Sequence, residues 1–164
     1  HRPPAHGYDL SREFAAETDL GSVFKLGLSQ LYADLSKLES LGLIQGEASS
    51  VPSRGIGRKI FRLTESGERQ FIMWLERPVP KVRYLRPDFL IKLYFARAIG
   101  QKAVIQLLDE QVDVLTRELR MVGTVGSDVP NGADSFKADV TRVETDFLQA
   151  GLSWLRQLQV ELPR

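Results

Sequence analysis

Apolar residues recur at helical spacing in two stretches near the start of the chain. In the first, residues 8–18, Leu10 and Phe14 lie one helical turn apart. Residues 19–22 are then typical of a turn. In the second stretch Ser29 is the predicted N-cap, and one apolar stripe is formed by Leu28, Leu31, Leu35 and Leu38. The pattern therefore predicts two short helices joined by a turn.

Apolar and polar residues alternate in the next part of the chain. Residues 43–47 and 59–63 predict two strands, because alternation is typical of a half-buried sheet. The residues between them, 48–57, are rich in Ser, Gly and Pro and predict the tip of a β-hairpin. Thr64 then begins a predicted helix through Glu76, whose first turn contains capping and acidic residues.

After Pro78 and Pro80 the apolar residues recur only at helical spacing. We therefore expect a linker at residues 78–86, between a first domain, residues 1–77, and a second, residues 87–164. The second domain has three predicted helices, at residues 88–99, 101–122 and 135–162, and a Gly- and Asp-rich connection at residues 123–134.

The last predicted helix carries two apolar stripes. One has heptad spacing and consists of Phe136, Val140, Val143, Phe147, Ala150 and Trp154. The other consists of Leu148, Leu152, Leu155 and Leu162. A surface helix needs only one stripe, so we expect one to pack on the same chain and the other on a second copy. The predicted dimer interface is Phe136, Val140, Val143, Phe147 and Trp154. The alternative is a neighbouring helix of the same chain that covers both stripes.

Composition narrows the classes of function. Hydrophobic residues make up 43% and charged residues 26% of the 164, as in an ordinary folded domain. The net charge of +1 excludes a protein that coats nucleic acid by bulk charge. The chain has no cysteine, and its two histidines, His1 and His6, lie at the start, so no thiol chemistry or internal Ser-His-Asp arrangement is available. We expect no enzyme activity, metal site or cofactor, and no membrane-spanning segment.

One local charge bias stands out in this balanced chain. Residues 48–64 contain no Asp or Glu, and their cations are Arg54, Arg58, Lys59 and Arg62. A hairpin tip with this charge suits contact with phosphates, although charged loops often simply face solvent. The order helix, helix, strand, basic loop, strand, helix is that of a winged helix-turn-helix. The predicted fold is mainly α with a small β-hairpin: a winged helix-turn-helix followed by an all-α dimerisation domain.

In such a fold the helix after the turn offers its polar face to the bases in the major groove. The residues on that face are Ser29, Gln30, Ala33, Ser36 and Lys37. Asp34 lies on the same helix. Its carboxylate would repel phosphate unless it accepts a hydrogen bond from a cytosine amine or turns inward.

Four segments of the first domain resemble the PadR family of bacterial transcriptional regulators. They occur in the family's order within residues 5–77, and they are GYDL (7–10), LYADLSKLE (31–39), GLI (42–44) and GRKIFRLTESG (57–67). The helical remainder resembles the C-terminal dimerisation part of the longer PadR subfamily. The resemblance implies a homodimeric repressor that binds double-stranded DNA at a two-fold symmetric operator.

The resemblance also implies roles for particular residues. Tyr32 would contact the DNA backbone, and Lys25 and the tip residues Arg54, Arg58 and Lys59 would contact phosphates. The protein would lie in the bacterial cytoplasm, on the nucleoid when bound to DNA. The alternative is a winged-helix module that binds another protein and not DNA.

Two further expectations follow from the family. A small aromatic or hydrophobic effector would release the repressor from DNA, and the aromatic residues that could line its pocket, or simply form core, are Trp74, Tyr94, Phe95 and Trp154. No effector-binding residue is assigned.

The family's opening helix would precede Gly7 and is absent from this sequence. We therefore expect a longer natural chain, or a partner chain that covers the gap.

Overall fold

A computed structural model describes residues 5–48, 59–126 and 135–162. The chain divides into two compact units, His1–Trp74 and Leu75–Arg164. The functional division at 1–77, 78–86 and 87–164 stays a prediction.

The first unit combines four helices with a small antiparallel sheet. Its elements are β1 (Ala5–His6), α1 (Gly7–Glu13), α2 (Asp19–Val23), α3 (Leu28–Ser40), β2 (Ile44–Ala48), β3 (Lys59–Leu63) and α4 (Glu65–Glu76), of which the last two residues belong to the second unit. The strand order is β1-β3-β2, and Gly46 of β2 lies opposite Phe61 of β3. This arrangement confirms the predicted winged helix-turn-helix, with β2 and β3 forming the hairpin that we call the wing.

The predictions for residues 8–22 were partly wrong. Helix α1 ends at Glu13 instead of residue 18, and residues 19–22 form most of helix α2 instead of a turn. The physical reason is Thr18, whose Oγ1 accepts a hydrogen bond from the Gly21 amide at 3.0 Å and caps α2. Gly21 is needed there, because a Cβ would lie 1.7 Å from the carbonyl oxygen of Ala15.

Helix α3 begins one residue before the predicted N-cap. Gly27 is the N-cap and Leu28 the first helical residue, so the prediction of Ser29 as the cap was wrong. The predicted apolar stripe is only half buried. Leu31 and Leu35 are buried in a cluster with Ile44 and Phe61, whereas Leu28 and Leu38 are exposed.

The wing and α4 are fixed to the end of α3 by one side chain. Thr64 Oγ1 donates to the carbonyl oxygen of Gly42 at 2.7 Å and accepts from the Gly67 amide at 3.0 Å, which caps α4. Gly42 has a φ of 67°, a left-handed conformation that favours glycine and terminates α3. A Cβ at Gly67 would lie 1.9 Å from the carbonyl oxygen of Leu43, so α4 packs directly on this turn.

The regular elements that the structure describes in the second unit are all helical. After a 3-10 turn (Val82–Tyr84) and a π-helical turn (Leu85–Phe89) come α5 (Leu90–Ile99), α6 (Gln101–Gly126) and α7 (Ser135–Glu161). Helix α6 continues four residues past the predicted end at 122. The rest of the predicted connection, residues 127–134, lies outside the described part of the chain. The largest fully buried side chains that the structure describes in this unit are Phe89, Leu108, Leu115, Leu148, Leu155 and Gln111.

Buried polar groups fix the start of the second unit to its helices. Gln111 is completely buried, and its amide bonds both the N–H and the C=O of Val79, at 2.8 and 2.9 Å. Lys92 Nζ donates to the carbonyl oxygen of Arg77 at 2.6 Å, and burial lowers the pKa of this lysine. Lys81 pairs with Glu118 at 2.7 Å. Part of the stretch predicted as a linker is therefore packed into this unit.

Candidate nucleic-acid interface

Helix α3 presents a polar face above its buried leucines. Leu31 and Leu35 are each 6% exposed and turn toward the core. The residues predicted to reach bases are all exposed, and they are Ser29, Gln30, Ala33 and Ser36. Lys37, which was also predicted to bind DNA, is exposed on the same face. A helix with this division of faces can lie in a groove of matching width without disturbing its core.

Two polar residues of α3 are joined by a hydrogen bond. The amide Nε2 of Gln30 donates to Oδ1 of Asp34, one turn further along, at 2.9 Å. Asp34 is half-buried and Gln30 is exposed. The sequence singled out both residues separately, and it did not indicate that they act on each other.

Tyr32 rests on the first turn of α1. The residue is 46% exposed, and a Cβ on the buried Gly7 would lie 2.9 Å from its Cε1 atom and 3.0 Å from its hydroxyl oxygen. The missing side chain of Gly7 therefore gives the ring its place. The hydroxyl oxygen thus lies over Gly7 at the start of α1, on a residue that is itself exposed.

Lys59 is held by an acidic residue that the sequence did not single out. Its Nζ lies 2.8 Å from Oε1 and 2.7 Å from Oε2 of Glu39, near the end of α3. The hydrogen bond from Lys59 holds the pKa of Glu39 below its ordinary value of 4.5, although partial burial of the carboxylate opposes this shift. Gly46 leaves room for the pair, because a Cβ there would lie 2.8 Å from Glu39 Oε1.

The other predicted phosphate contacts are placed only in part. Lys25 is exposed just before α3, and Arg62 is exposed on β3. Arg54 and Arg58 lie outside the described residues. The cations that the structure describes on the wing are thus Lys59 and Arg62, and Lys59 is ion-paired.

The predicted dimer residues divide into two groups. Four are exposed on α7, namely Phe136 (72%), Val140 (43%), Val143 (51%) and Phe147 (62%). Trp154 differs from them. It is half-buried, and its ring stands edge-on to Phe89 of the same unit, with centroids 5.9 Å apart. The predicted role of Trp154 in a dimer therefore has a competing role within its own chain.

The aromatic residues considered for an effector pocket pack in pairs. Trp74 lies 5.9 Å from Phe71 between ring centroids, and Tyr94 lies 5.3 Å from Phe95. Trp74 is 39% exposed, and the other three rings are half-buried. Among the residues that the structure describes, no three His, Cys, Asp or Glu side chains are grouped so that they could hold a metal ion. No helix in the described ranges is long and apolar enough to cross a membrane.

Comparison with known proteins relates the first part of the chain to bacterial regulators. The model of the Transcriptional regulator PadR-like family matches residues 1–72. The Negative transcriptional regulator PadR of Bacillus subtilis (strain 168) is 28% identical over 106 residues, which are 65% of this chain. The aligned part spans 57% of the length of that relative.

Two crystal structures of Bacillus subtilis PadR are also similar to this chain. The one in complex with operator DNA has a TM-score of 0.46 at 21% identity and covers 96% of this chain and 91% of the other. The one in complex with p-coumaric acid has a TM-score of 0.40 at 22% identity, with coverages of 94% and 88%. Residues 1–72 of the chain therefore form a domain of the transcriptional regulator PadR-like family.

Proposed function

We propose that this protein is a transcriptional repressor that binds a two-fold symmetric operator on double-stranded DNA as a homodimer. The observation that carries this proposal is the exposed polar face of α3 above the buried Leu31 and Leu35, within a PadR-like domain. The similar protein of Bacillus subtilis is named a negative regulator, which favours repression.

Helix α3 is the element that would enter the major groove. Its 13 residues make it about 20 Å long, enough to span the bases of one half-site. The residues assigned to base edges are Ser29, Gln30, Ala33 and Ser36, and Lys37 on the same face would also contact DNA. Base contacts supply sequence preference, whereas phosphate contacts supply affinity and orientation.

Phosphates would be contacted by Tyr32 and by cations on both sides of α3. Those cations are Lys25, Lys59, Arg54 and Arg58. The ion pair of Lys59 is compatible with this role, because an ammonium has three N–H donors and the two oxygens of Glu39 occupy two of them. Each phosphate contact would release counterions and make binding sensitive to salt.

The homodimer would form through α7. Leu148, Leu152 and Leu155 are 1%, 4% and 0% exposed, so this stripe packs within the unit. The stripe on the other side, from Phe136 to Phe147, is exposed to solvent and has heptad spacing. A second copy of α7 related by a two-fold axis would cover it, and the pair would present two α3 helices to two half-sites.

Release from DNA by a small aromatic or hydrophobic effector is also part of this proposal. Its support is that Bacillus subtilis PadR binds p-coumaric acid in a solved structure. No residues are assigned to the effector. A regulator of this type needs no enzymatic activity, and it would work in the cytoplasm, associated with the nucleoid when bound.

A second candidate function is a winged-helix module that binds another protein. Two observations favour it, namely the carboxylate of Asp34 on α3 and the neutralisation of Lys59 by Glu39. Both reduce the positive charge available for DNA.

Gel retardation separates the two functions. We expect the purified protein to retard duplexes from the DNA upstream of its own gene at about 50 mM salt, where phosphate contacts are strong. If no duplex is retarded under that condition, the protein-binding module becomes the better account.

A further inference from the structure

We infer that Asp34 determines the base preference of α3. Its carboxylate holds the NH2 end of the Gln30 side-chain amide, so that the amide oxygen is directed away from Asp34. The base addressed by this pair would be one that presents an exocyclic amine, adenine or cytosine, and not guanine. This inference rests on the proposed DNA binding and adds a specificity-determining residue to it.

The hydrogen bond between the two residues fixes which end of the amide faces outward. A carboxylate oxygen only accepts hydrogen bonds, so the end of Gln30 that faces Asp34 must be its NH2 group. The Nε2–Oδ1 distance of 2.9 Å is that of a good hydrogen bond. The carbonyl oxygen Oε1 is therefore the end of the amide that Asp34 leaves for a ligand.

A glutamine without such a neighbour behaves differently. Its amide can turn by half a revolution and can offer either the oxygen or the NH2 group to a base. Gln30 is exposed and occupies the first turn of α3, where a groove helix contacts base edges. Asp34 is half-buried one turn further on, so its carboxylate has less freedom than that of a fully exposed residue.

The outward atoms of the pair are mainly acceptors. The atoms that the Gln30–Asp34 hydrogen bond does not use are Oε1 of Gln30, the second carboxylate oxygen of Asp34 and the remaining N–H of the amide. In the major groove adenine presents the N6 amine beside N7, and cytosine presents the N4 amine, whereas guanine presents only the acceptors N7 and O6. An acceptor-rich pair with a negative charge attracts the amines and repels guanine.

Selection from a pool of randomised duplexes tests this inference. The protein is the full chain, in the wild-type form and as Asp34→Ala, Asp34→Asn and Gln30→Ala. We expect the wild type to enrich adenine or cytosine over guanine by about tenfold at one position in each half-site, the discrimination of a good base contact. Asp34→Ala should reduce this ratio to about twofold or less, because the amide can then turn its NH2 group toward the acceptors of guanine and the repelling charge is gone. Asp34→Asn should have a similar effect, because it removes the charge and can hold the amide of Gln30 by either end. Gln30→Ala should remove the preference at the same position.

The control variant is Glu17→Ala, which removes one negative charge from the same unit at an exposed site off α3. Loss of a negative charge strengthens binding to all duplexes in both Glu17→Ala and Asp34→Ala. Only Asp34→Ala should change the preferred base. Asp34→Asn keeps the shape of the side chain and serves if Asp34→Ala alters the circular dichroism spectrum.

The possible outcomes are distinct. A wild type that enriches no sequence contradicts the proposed function and this inference with it. If the wild type enriches a sequence and the Asp34 variants prefer the same base at every position, the inference is overturned and the proposed function stays intact. A shift at the same position in Glu17→Ala would assign the effect to net charge and would also overturn it.

Discussion

Lys59 and Glu39 join the wing to the helix that we assign to the major groove. The two oxygens of Glu39 lie 2.8 and 2.7 Å from the ammonium nitrogen, although the residues are 20 positions apart in the chain. Gly46 on β2 has no side chain, and this leaves the space that the pair occupies. The pair therefore fixes the start of β3, the end of the strand nearest the tip of the wing, relative to the end of α3. It also limits the charge that Lys59 can offer to DNA.

The pH dependence of stability tests this ion pair. The pKa of Glu39 is lowered in the folded protein, so the carboxylate stabilises the fold above its ordinary pKa of 4.5 and loses this effect as the pH falls through the lowered value. We expect the melting temperature of the wild type to exceed that of Glu39→Gln at pH 7. The difference should shrink as the pH is lowered below about 4.5. In a Lys59→Met background the same substitution should give a difference that does not vary with pH; a variation that persists there would show that another group is responsible.

The contact between Gly7 and Tyr32 predicts a loss of DNA affinity without a change of base preference. A Cβ at position 7 would lie 2.9 Å from the ring, so Gly7→Ala should displace Tyr32 from its place on α1. We expect binding to weaken about fivefold on every duplex, the effect of losing one hydrogen bond of about 1 kcal/mol. Fluorescence anisotropy with labelled duplexes measures this. Gly123→Ala is the control, since nothing lies within 4 Å of a Cβ there, and equal losses in both variants would refute the role of Tyr32.

Neighbouring residues on α7 provide a matched pair for the dimer interface. Phe147 is 62% exposed and Leu148 is 1% exposed. Phe147→Asp should convert the dimer to a folded monomer in sedimentation equilibrium, because a charge cannot be buried between two apolar stripes without a partner. Leu148→Asp should instead unfold the helical unit, at a cost of about 4 kcal/mol or more. If Phe147→Asp still sediments as a dimer, the exposed stripe is not the interface.

Gln111 predicts a large stability effect at a polar residue. It is fully buried and satisfies both backbone groups of Val79, at 2.8 and 2.9 Å. Gln111→Leu would leave these two groups without a partner and should cost about 2–4 kcal/mol in the free energy of unfolding by urea. Gln106→Leu, on the exposed side of the same helix, should change it by no more than about 0.5 kcal/mol. Similar values for the two variants would mean that water replaces the amide of Gln111.

Local patterns in the sequence were sufficient for much of the fold. Strand β3 has the predicted bounds, because the alternation around Phe61 depends only on neighbouring residues. Helix α7 likewise spans the predicted stretch to within one residue. Helix α2 escaped prediction because five residues are too few to show a helical period, and its cap is a single hydroxyl group on Thr18.

The parts that the sequence did not predict depend on distant partners. Glu39 is one of many acidic residues until the register of β3 brings Lys59 to it. Gln111 similarly finds Val79 across 32 residues. The bond between Gln30 and Asp34 is local, at a separation of four, and the helical period could have indicated it. The exposed face of α3 was predicted because buried leucines mark the opposite side.

The salt dependence of duplex binding tests the central claim most directly, namely that the exposed face of α3 and the basic wing contact a DNA double helix. Fluorescence anisotropy on a retarded duplex gives the dissociation constant between about 50 and 200 mM salt. We predict that log affinity falls linearly with log salt, with a slope near −0.9 for each phosphate contacted, and that Lys59→Ala reduces the slope by about one. Binding that is absent at the lowest salt, or whose strength does not change across this range, would contradict the claim.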